Sequence, residues 1–450
     1  MLLILLAIVN CRYSRNKGGV DLFSVFAKAL RTPDLRRKIL FTLMIIVLFR
    51  LGSHLPTPGI SYVNVQKCLV NTQEGGFLAL VDLFSGGALL QLSVFALGIT
   101  PYITASIIIQ LLRVVIPRFE DLHREGQSGH AKMTQYTRYL TIFLAVLQSS
   151  VIISITRSGR LFPGCKEAII PNDTVLNFIM MMIAMTAGTG MIMWLAELIT
   201  QHGIGNGMSL LIFTSIISNL PGHIWAIANS NDGVSKSIGV VGLIVLVTIA
   251  IVFVEQAARR IPVQYTKRMI GSRVYGGSST YIPVKINISG VIPIIFAVSI
   301  LALPQLFVQF GDQKSSWVRW IGSNLHNQSP LYLVIYAVII AFFCFFYTTI
   351  AFNPDEVADN MKKYGGFIPG IRAGRPTADY LRYVINRITT SGAIYLVAIA
   401  LIPEIVMIVM GIQQLPFGGT TLLIMVGVGL QTVQQLNSQL KQHHYEGFLK

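Results

Sequence analysis

From Phe77 to Leu112 the chain runs for 36 residues with a single charge, Asp82, and the triplet Ser85-Gly86-Gly87 interrupts the run near its first quarter. As one helix the run would be roughly 54 Å long at about 1.5 Å per residue, against a bilayer hydrocarbon core of roughly 30 Å. Two complete spans would need roughly 40 residues and a turn. The length therefore predicts one span, 93–112, preceded by a short helix, 77–84, that enters the membrane zone without crossing it. Non-helical backbone is tolerated at such depth only where protein buries it or water lines it. A half-helix of this kind predicts an internal cavity with a segment seated in it. The alternative is an amphipathic helix lying flat on the bilayer.

The rest of the chain supports a polytopic membrane protein. Of 450 residues, 53% are hydrophobic and 12% charged, with mean hydropathy +0.63; soluble domains carry about 25% charged residues. Apolar windows predict ten spans, at 39–55, 93–112, 136–156, 176–200, 208–228, 238–257, 289–310, 331–352, 388–410 and 420–437. With ten spans both termini share one side, and that side then holds 27 of the 35 Lys and Arg residues. The opposite side holds Lys67, Arg157, Arg160, Lys166, Lys236, Lys314 and Arg319, and Arg50 sits inside the first span, where it is expected to snorkel. The positive-inside rule places both termini in the cytoplasm. Cys11, Cys68, Cys165 and Cys344 are far apart with no metal or redox spacing, so no disulfide framework is expected.

Met1–Val9 is apolar but too short to span, and its positive residues follow it, unlike a signal peptide. Phe23, Phe26, Ala27 and Leu30 recur at helical spacing and predict an amphipathic surface helix within 1–38. Two basic loops are long enough to hold structure. In 259–285, Ile261–Arg268 and Thr280–Lys285 are rich in β-formers around Gly-Ser turn signals and predict a hairpin. In 353–387, Asn353-Pro354-Asp355-Glu356 reads as a helix start, Lys362 and Lys363 suit its last turn, and Gly365 suits its C-cap. The tip that follows carries Arg372 and Arg375, and projecting basic tips suit an anionic partner.

The motifs of enzymatic chemistry are missing. There is no His-Glu-x-x-His helix, no Walker loop and no Gly-x-Ser-x-Gly elbow, and Gly203-Ile-Gly-Asn-Gly207 lacks the lysine of a phosphate loop. Glu197, Glu255 and Glu404 fall near span ends rather than at the midplane, which argues against ion-coupled transport. No enzyme, cofactor or metal is expected.

Several segments together resemble the SecY/Sec61-alpha family of translocon channel subunits. They are Arg50-Leu-Gly-Ser-His-Leu-Pro-Thr-Pro-Gly59, Leu83-Phe-Ser-Gly-Gly-Ala88, Ala96-Leu-Gly-Ile-Thr-Pro-Tyr-Ile103, Gln135-Tyr-Thr-Arg-Tyr139, Gly203-Ile-Gly-Asn-Gly207, Phe352-Asn-Pro354, Pro369-Gly-Ile-Arg372 and Phe417-Gly-Gly-Thr420. The resemblance runs from about Val20 to the C-terminus, and the first nineteen residues have no counterpart, so translation is expected to start near Val20. It implies an all-α membrane protein of ten helices in two inverted five-helix halves, 39–235 and 236–437, with a tail at 438–450. The short helix would be a plug, about 75–90, with Phe77, Leu80, Asp82, Phe84, Gly86 and Gly87.

Carried over by position, the resemblance implies a pore ring of Ile99, Ile103, Met208, Ile212, Ile295 and Ile424. Isoleucine is common in the family where Met208 stands; a flexible thioether keeps the ring apolar. Gln110 and Asn287 match polar positions of a lateral gate between the second and seventh spans, where paired amides would hold it shut. Arg372 matches a loop-tip arginine that engages SecA and the ribosome; Arg375 lies beside it, and Arg273 inherits half of what is often an arginine pair, Ser272 standing in for the other. The implied role is passive conduction of unfolded secretory polypeptides and lateral release of transmembrane segments. The implied partners are SecE and SecG, SecA, the ribosome, SecDF, YidC, signal-bearing polypeptides and lipids of the bacterial plasma membrane. A broken-helix transporter is the rival from another class, and a saturable flux of small solute would favour it.

Overall fold

The structure is a computed structural model and describes residues 31–71, 82, 85–159, 161, 169–171, 174–228, 233–265, 268–270, 273–275, 279–310, 316–325, 329–410 and 418–446. Helices dominate: α1 (Pro33–Ser53), α2 (Tyr62–Asn71), α3 (Thr100–Val115), α4 (Pro117–Arg124), α5 (Gln127–Arg157), α6 (Val175–His202), α7 (Gly207–Ala228) and α8 (Gly233–Glu255). After strands β1 (Ala258–Tyr265), β2 (Arg268–Ile270), β3 (Arg273–Tyr275) and β4 (Ser279–Lys285) come α9 (Ile292–Phe310), α10 (Ser316–Asn324), α11 (Pro330–Ala351) and α12 (Pro354–Lys363). Strand β5 (Gly366–Phe367), α13 (Arg375–Val409) and α14 (Gly419–Glu446) complete the order.

Each of the ten apolar windows falls on one helix of this series, and among the described residues α5, α6, α8, α11 and α13 are long and apolar enough to cross a bilayer. Their outward faces are apolar. Leu40 and Val47 on α1, Ile183 and Trp194 on α6, Leu246 on α8 and Val338 on α11 are all exposed. A surface this oily is soluble only in lipid.

One boundary differs from the expectation. The window 93–112 becomes helix only at Thr100; residues 86–92 and 94–99 are turns, Ser93 pairs with Pro56 in an isolated bridge, and α3 spans about 24 Å at 1.5 Å per residue. Gly86, Gly87, Leu92 and Gly98 all have positive φ, which ends any helix through this stretch. The backbone is held from outside instead: Thr57 N donates to Leu92 O at 3.1 Å and Val94 N to Leu55 O at 2.9 Å. Helix therefore starts only where Pro101 can occupy its first turn. The predicted surface helix within 1–38 and the helix at 77–84 lie almost wholly outside the described residues; of the latter only Asp82 is described, and it is helical.

The long helices pack in two groups. In the first, α1 packs on α6, α3 on α5, α5 on α6 and α6 on α7; in the second, α9 packs on α11, α11 on α13 and α13 on α14, with α8 against α14. The groups meet where α7 packs on α8 and α14.

The two basic loops fold as one unit. Strands β1 and β4 pair antiparallel, with Ile261 opposite Ile282, and β5 from the second loop adds to β1 through Gln264 and Phe367. Beneath them Ile261, Val263, Val284, Met361, Ile368, Leu381, Val384 and Ile388 form a buried core. Helix α12 starts as its sequence demands: Asn353 Oδ1 accepts from Asp355 N at 3.2 Å and Glu356 N at 3.5 Å, with Pro354 in the first turn. Tyr364 is its C-cap, and Gly365 follows with φ 69°. Helix α13 has 35 residues, about 52 Å, so a membrane of roughly 30 Å leaves its first four turns to carry this unit.

The cysteines depart from expectation. Cys68, buried on α2, is disulfide-bonded, whereas Cys344 is a free buried thiol among the described residues. Sequence spacing said nothing here because α2 folds back against Leu161 and Ile169, nearly a hundred positions away.

Candidate functional site: a sealed seam between two helix groups

The six carried-over ring positions come from four helices and meet in one apolar cluster. Ile99, Ile212 and Ile424 are buried in it, and Ile103, Met208 and Ile295 pack against it. Ile99 caps the start of α3, Ile103 lies one turn on, Met208 and Ile212 are one turn apart on α7, and Ile295 and Ile424 lie near the starts of α9 and α14. Spacings of four place each α3 and α7 pair on one helix face. Phe49 of α1 stacks on Phe95, centroids 6.0 Å apart, and closes one side.

Beside this cluster lies a cavity of about 420 Å³. Its walls come from α3, α5, α6, α7 and α9, and include Ile103, Met208, Ile212 and Ile295 of the ring together with Gln110. Helices α3 and α9 do not pack tightly on each other; the cavity occupies the seam between them. Gln110 Oε1 is buried there with no hydrogen-bond partner.

The expected amide pair is not formed. Asn287 Nδ2 donates to Glu255 Oε1 at 2.6 Å and to Gly290 O at 3.1 Å, and its Oδ1 accepts from Ser289 Oγ at 3.2 Å. A carboxylate at the end of α8 outcompetes a neutral amide, since a charge-assisted bond is about twice as strong. Gln110 and Asn287 thus stand on the two sides of the seam without bridging it.

Of the plug residues, Phe77, Leu80 and Phe84 lie outside the described residues. Asp82, Gly86 and Gly87 form a tight knot. Asp82 Oδ1 accepts from Leu90 N at 3.0 Å, Gly87 N donates to Asp82 O at 3.0 Å, and Ser85 Oγ donates to Asp82 O at 2.9 Å. Against the expectation that it snorkels, Arg50 turns inward: Nη1 donates to Gly86 O at 3.0 Å and Nη2 to Ser218 Oγ on α7. Its position in the last turn of α1 sets a cation beside the helix C-terminus, and the acceptors it reaches belong to the protein.

Reading by sequence missed a further pair in the cavity wall. Arg138 of α5 grips Glu197 of α6 through two bonds, Nε–Oε1 at 2.9 Å and Nη2–Oε2 at 2.5 Å, and its Nη1 reaches Gln135 at 3.1 Å. The two residues are 59 apart, so the only available signal was an arginine and a glutamate each inside an apolar run.

The three arginines of the basic unit occupy its edges. Arg273 opens β3 opposite Ile270, and Arg372 and Arg375 are exposed. The loop between is ordered by Thr377 Oγ1 donating to Arg372 O at 2.9 Å, with Gly370 and Gly374 at positive φ.

Comparison with known proteins agrees with this architecture. The SecY family profile matches residues 93–433. The protein translocase subunit SecY of Streptomyces griseus is 58% identical over 438 residues, covering 95% of this chain and 100% of that one. That of Mycobacterium tuberculosis (strain ATCC 25618 / H37Rv) is 52% identical over 442 residues, with 95% and 100% covered. Among solved structures, one described as a protein conducting channel superimposes with TM-score 0.63 at 18% identity, covering 90% of this chain and 92% of that one. Sec61 in the canine ribosome-channel complex from the endoplasmic reticulum gives TM-score 0.57 at 17% identity, with the same coverage.

Proposed function

The chain belongs to the SecY family, and from that premise we propose how its seam works as a passage for polypeptide. It is the pore-forming subunit of a protein translocase, a multi-pass membrane channel rather than an enzyme. The observation that carries the mechanism is the convergence of Ile99, Ile103, Met208, Ile212, Ile295 and Ile424. Such a ring has no polar group to hydrate, so while closed it stays dry and ions cannot pass. An extended chain replaces isoleucine–isoleucine contacts with side-chain contacts of its own, so the gasket can part at little cost.

The lateral exit runs between α3 and α9. Gln110 and the Glu255-anchored Asn287 are its two polar lips, and an apolar segment in the cavity is released to lipid when α9 swings away. The plug closes the outer side. The basic unit is the docking face for SecA and for the ribosome. Arg375 supports this, because it opens α13, where the helix dipole disfavours a cation. A residue placed against its own stability there suits an anionic partner. SecE and SecG complete the complex, SecDF and YidC act beside it, and both termini face the cytoplasm across the plasma membrane, with halves divided near 236.

The test is crosslinking of a stalled secretory precursor to cysteines placed at Ile99 and Ile424. Adducts at both positions are expected. Absence of adducts from a channel that is carrying the precursor refutes the ring.

A further inference from the structure

We propose that Arg50 is the latch that holds the plug shut and thereby sets how strong a signal sequence must be to open the channel. The inference rests on the channel reading above and extends it to a residue that neither ring nor gate includes.

The geometry carries it. Arg50 leaves the last turn of α1 and donates from its two terminal nitrogens to different elements: Nη1 to the Gly86 carbonyl of the plug base at 3.0 Å, and Nη2 to the Ser218 hydroxyl of α7. A second clasp lies alongside. Asn219, with its amide turned to suit its neighbours, donates to Gly86 O at 3.3 Å and accepts from Gly87 N at 3.0 Å. The plug base is thus fastened to both walls of the first helix group by side chains, where apolar packing alone would let it slide.

Gly86 is shaped for this contact. Its φ is 75°, and a Cβ there would lie 2.8 Å from Arg50 Nη1 and 3.3 Å from Ser215. Any side chain would push the guanidinium off the carbonyl. The forked, planar head reaches the two acceptors from separate nitrogens, a spread that lysine's single Nζ does not match.

The latch is also reversible. Both hydrogen-bond partners of Arg50 are neutral, and no ion pair among the described residues includes it. Arg50 is half-buried, and in the closed state these two acceptors offset the cost of withdrawing part of its charge from water. When the plug leaves, water fills the funnel and solvates the guanidinium in place of Gly86. The bonds are stronger in the half-buried closed site than in water and are exchanged at little cost once water reaches it, which gives a two-state closure rather than gradual loosening.

The experiment uses translocase purified from its membrane with its bound partners and reconstituted in vesicles. It reads resting ion leak and transport of a precursor with a defective signal. In Arg50→Gln we expect leak to rise about tenfold or more, the equilibrium factor of one lost charge-assisted hydrogen bond, with the defective precursor now carried. Arg50→Lys is expected to fall between Arg50→Gln and the unaltered protein, and Ser218→Ala, which keeps the charge, to give a smaller rise. The discriminating variant is Arg50→Ala with Gly86→Cys and Ser215→Cys, whose β-carbons are near disulfide distance once the guanidinium is gone. Oxidation should restore the seal and reductant should release it in the same vesicles, which a merely structural arginine would not permit. Unaltered leak and stringency in Arg50→Gln, or a leak that oxidation leaves unchanged, overturns the latch. If Arg50→Gln does not accumulate, unaltered leak in Ser218→Ala overturns it. Failure of the unaltered protein to carry any precursor would instead overturn the channel reading.

Discussion

An isoleucine in a membrane protein is ordinary; an isoleucine that faces five other apolar side chains from three other helices is not. Ile424 is buried in the ring cluster, so a polar replacement must place an amide where nothing can bond it. The cost is about 1–3 kcal/mol, borne only by the closed state, because the open state wets the site. Ile424→Asn or Ile103→Asn is therefore expected to shift the closed–open balance roughly tenfold toward open. Resting conductance of reconstituted channels checks this, and an unchanged leak would contradict it. Asn287 shows the reverse case, a polar residue whose needs are met locally by Glu255, Gly290 and Ser289. Replacing Glu255 with Gln should weaken the anchor of α9 without touching the ring, read as easier insertion of weakly apolar segments at an unchanged resting leak.

At the scale of elements, the basic unit depends on a helix start and a shared core. Asn353→Ala removes the side-chain acceptor that two backbone N–H groups of the first turn of α12 share, and should cost about 1 kcal/mol. Faster amide exchange at Asp355 and Glu356 would report it. The ion pairs of Arg382 with Asp355 and Asp379, all exposed, should contribute little, and their removal is expected to leave exchange unchanged. Leu381 of α13 is fully buried in the core shared with β1, β4 and α12, and Leu381→Ala should destabilise the unit by about 2–5 kcal/mol. Protease nicking within 259–285 would then rise. The hairpin and the α12 start were both legible from local sequence, because turn residues and caps act within four positions. That β5 joins β1 was not, because a two-residue strand has no periodicity to read.

Across the whole molecule the proposed docking face, ring and plug draw on different residues, and perturbations should separate them. Arg372→Glu is expected to lower SecA- or ribosome-driven transport several-fold while resting leak stays at its normal level, since Arg372 is exposed and is no part of the ring cluster. A raised leak in that variant would mean the unit is coupled to the seal. The disulfide-bonded Cys68 lies in a cluster that includes Leu89, Leu90 and Leu92. Reduction should lower thermal stability by about 2–4 kcal/mol, measured as a fall in Tm on adding reductant.

Run length, charge placement and capping residues determined by themselves that this chain lives in a membrane and that each of the ten apolar windows holds a helix, though not that the window 93–112 turns helical only at Thr100. These are one-dimensional properties: an apolar run of given length has few ways to satisfy its backbone in lipid. The eight motifs determined the family. Tertiary structure alone decided that Arg50 turns inward to the plug, that Asn287 bonds Glu255 instead of Gln110, that Arg138 finds Glu197, and that Cys68 is bridged. Lipid and protein core are equally apolar, so no pattern of hydrophobicity distinguishes a side chain facing one from a side chain facing the other. Only the meeting of distant segments does.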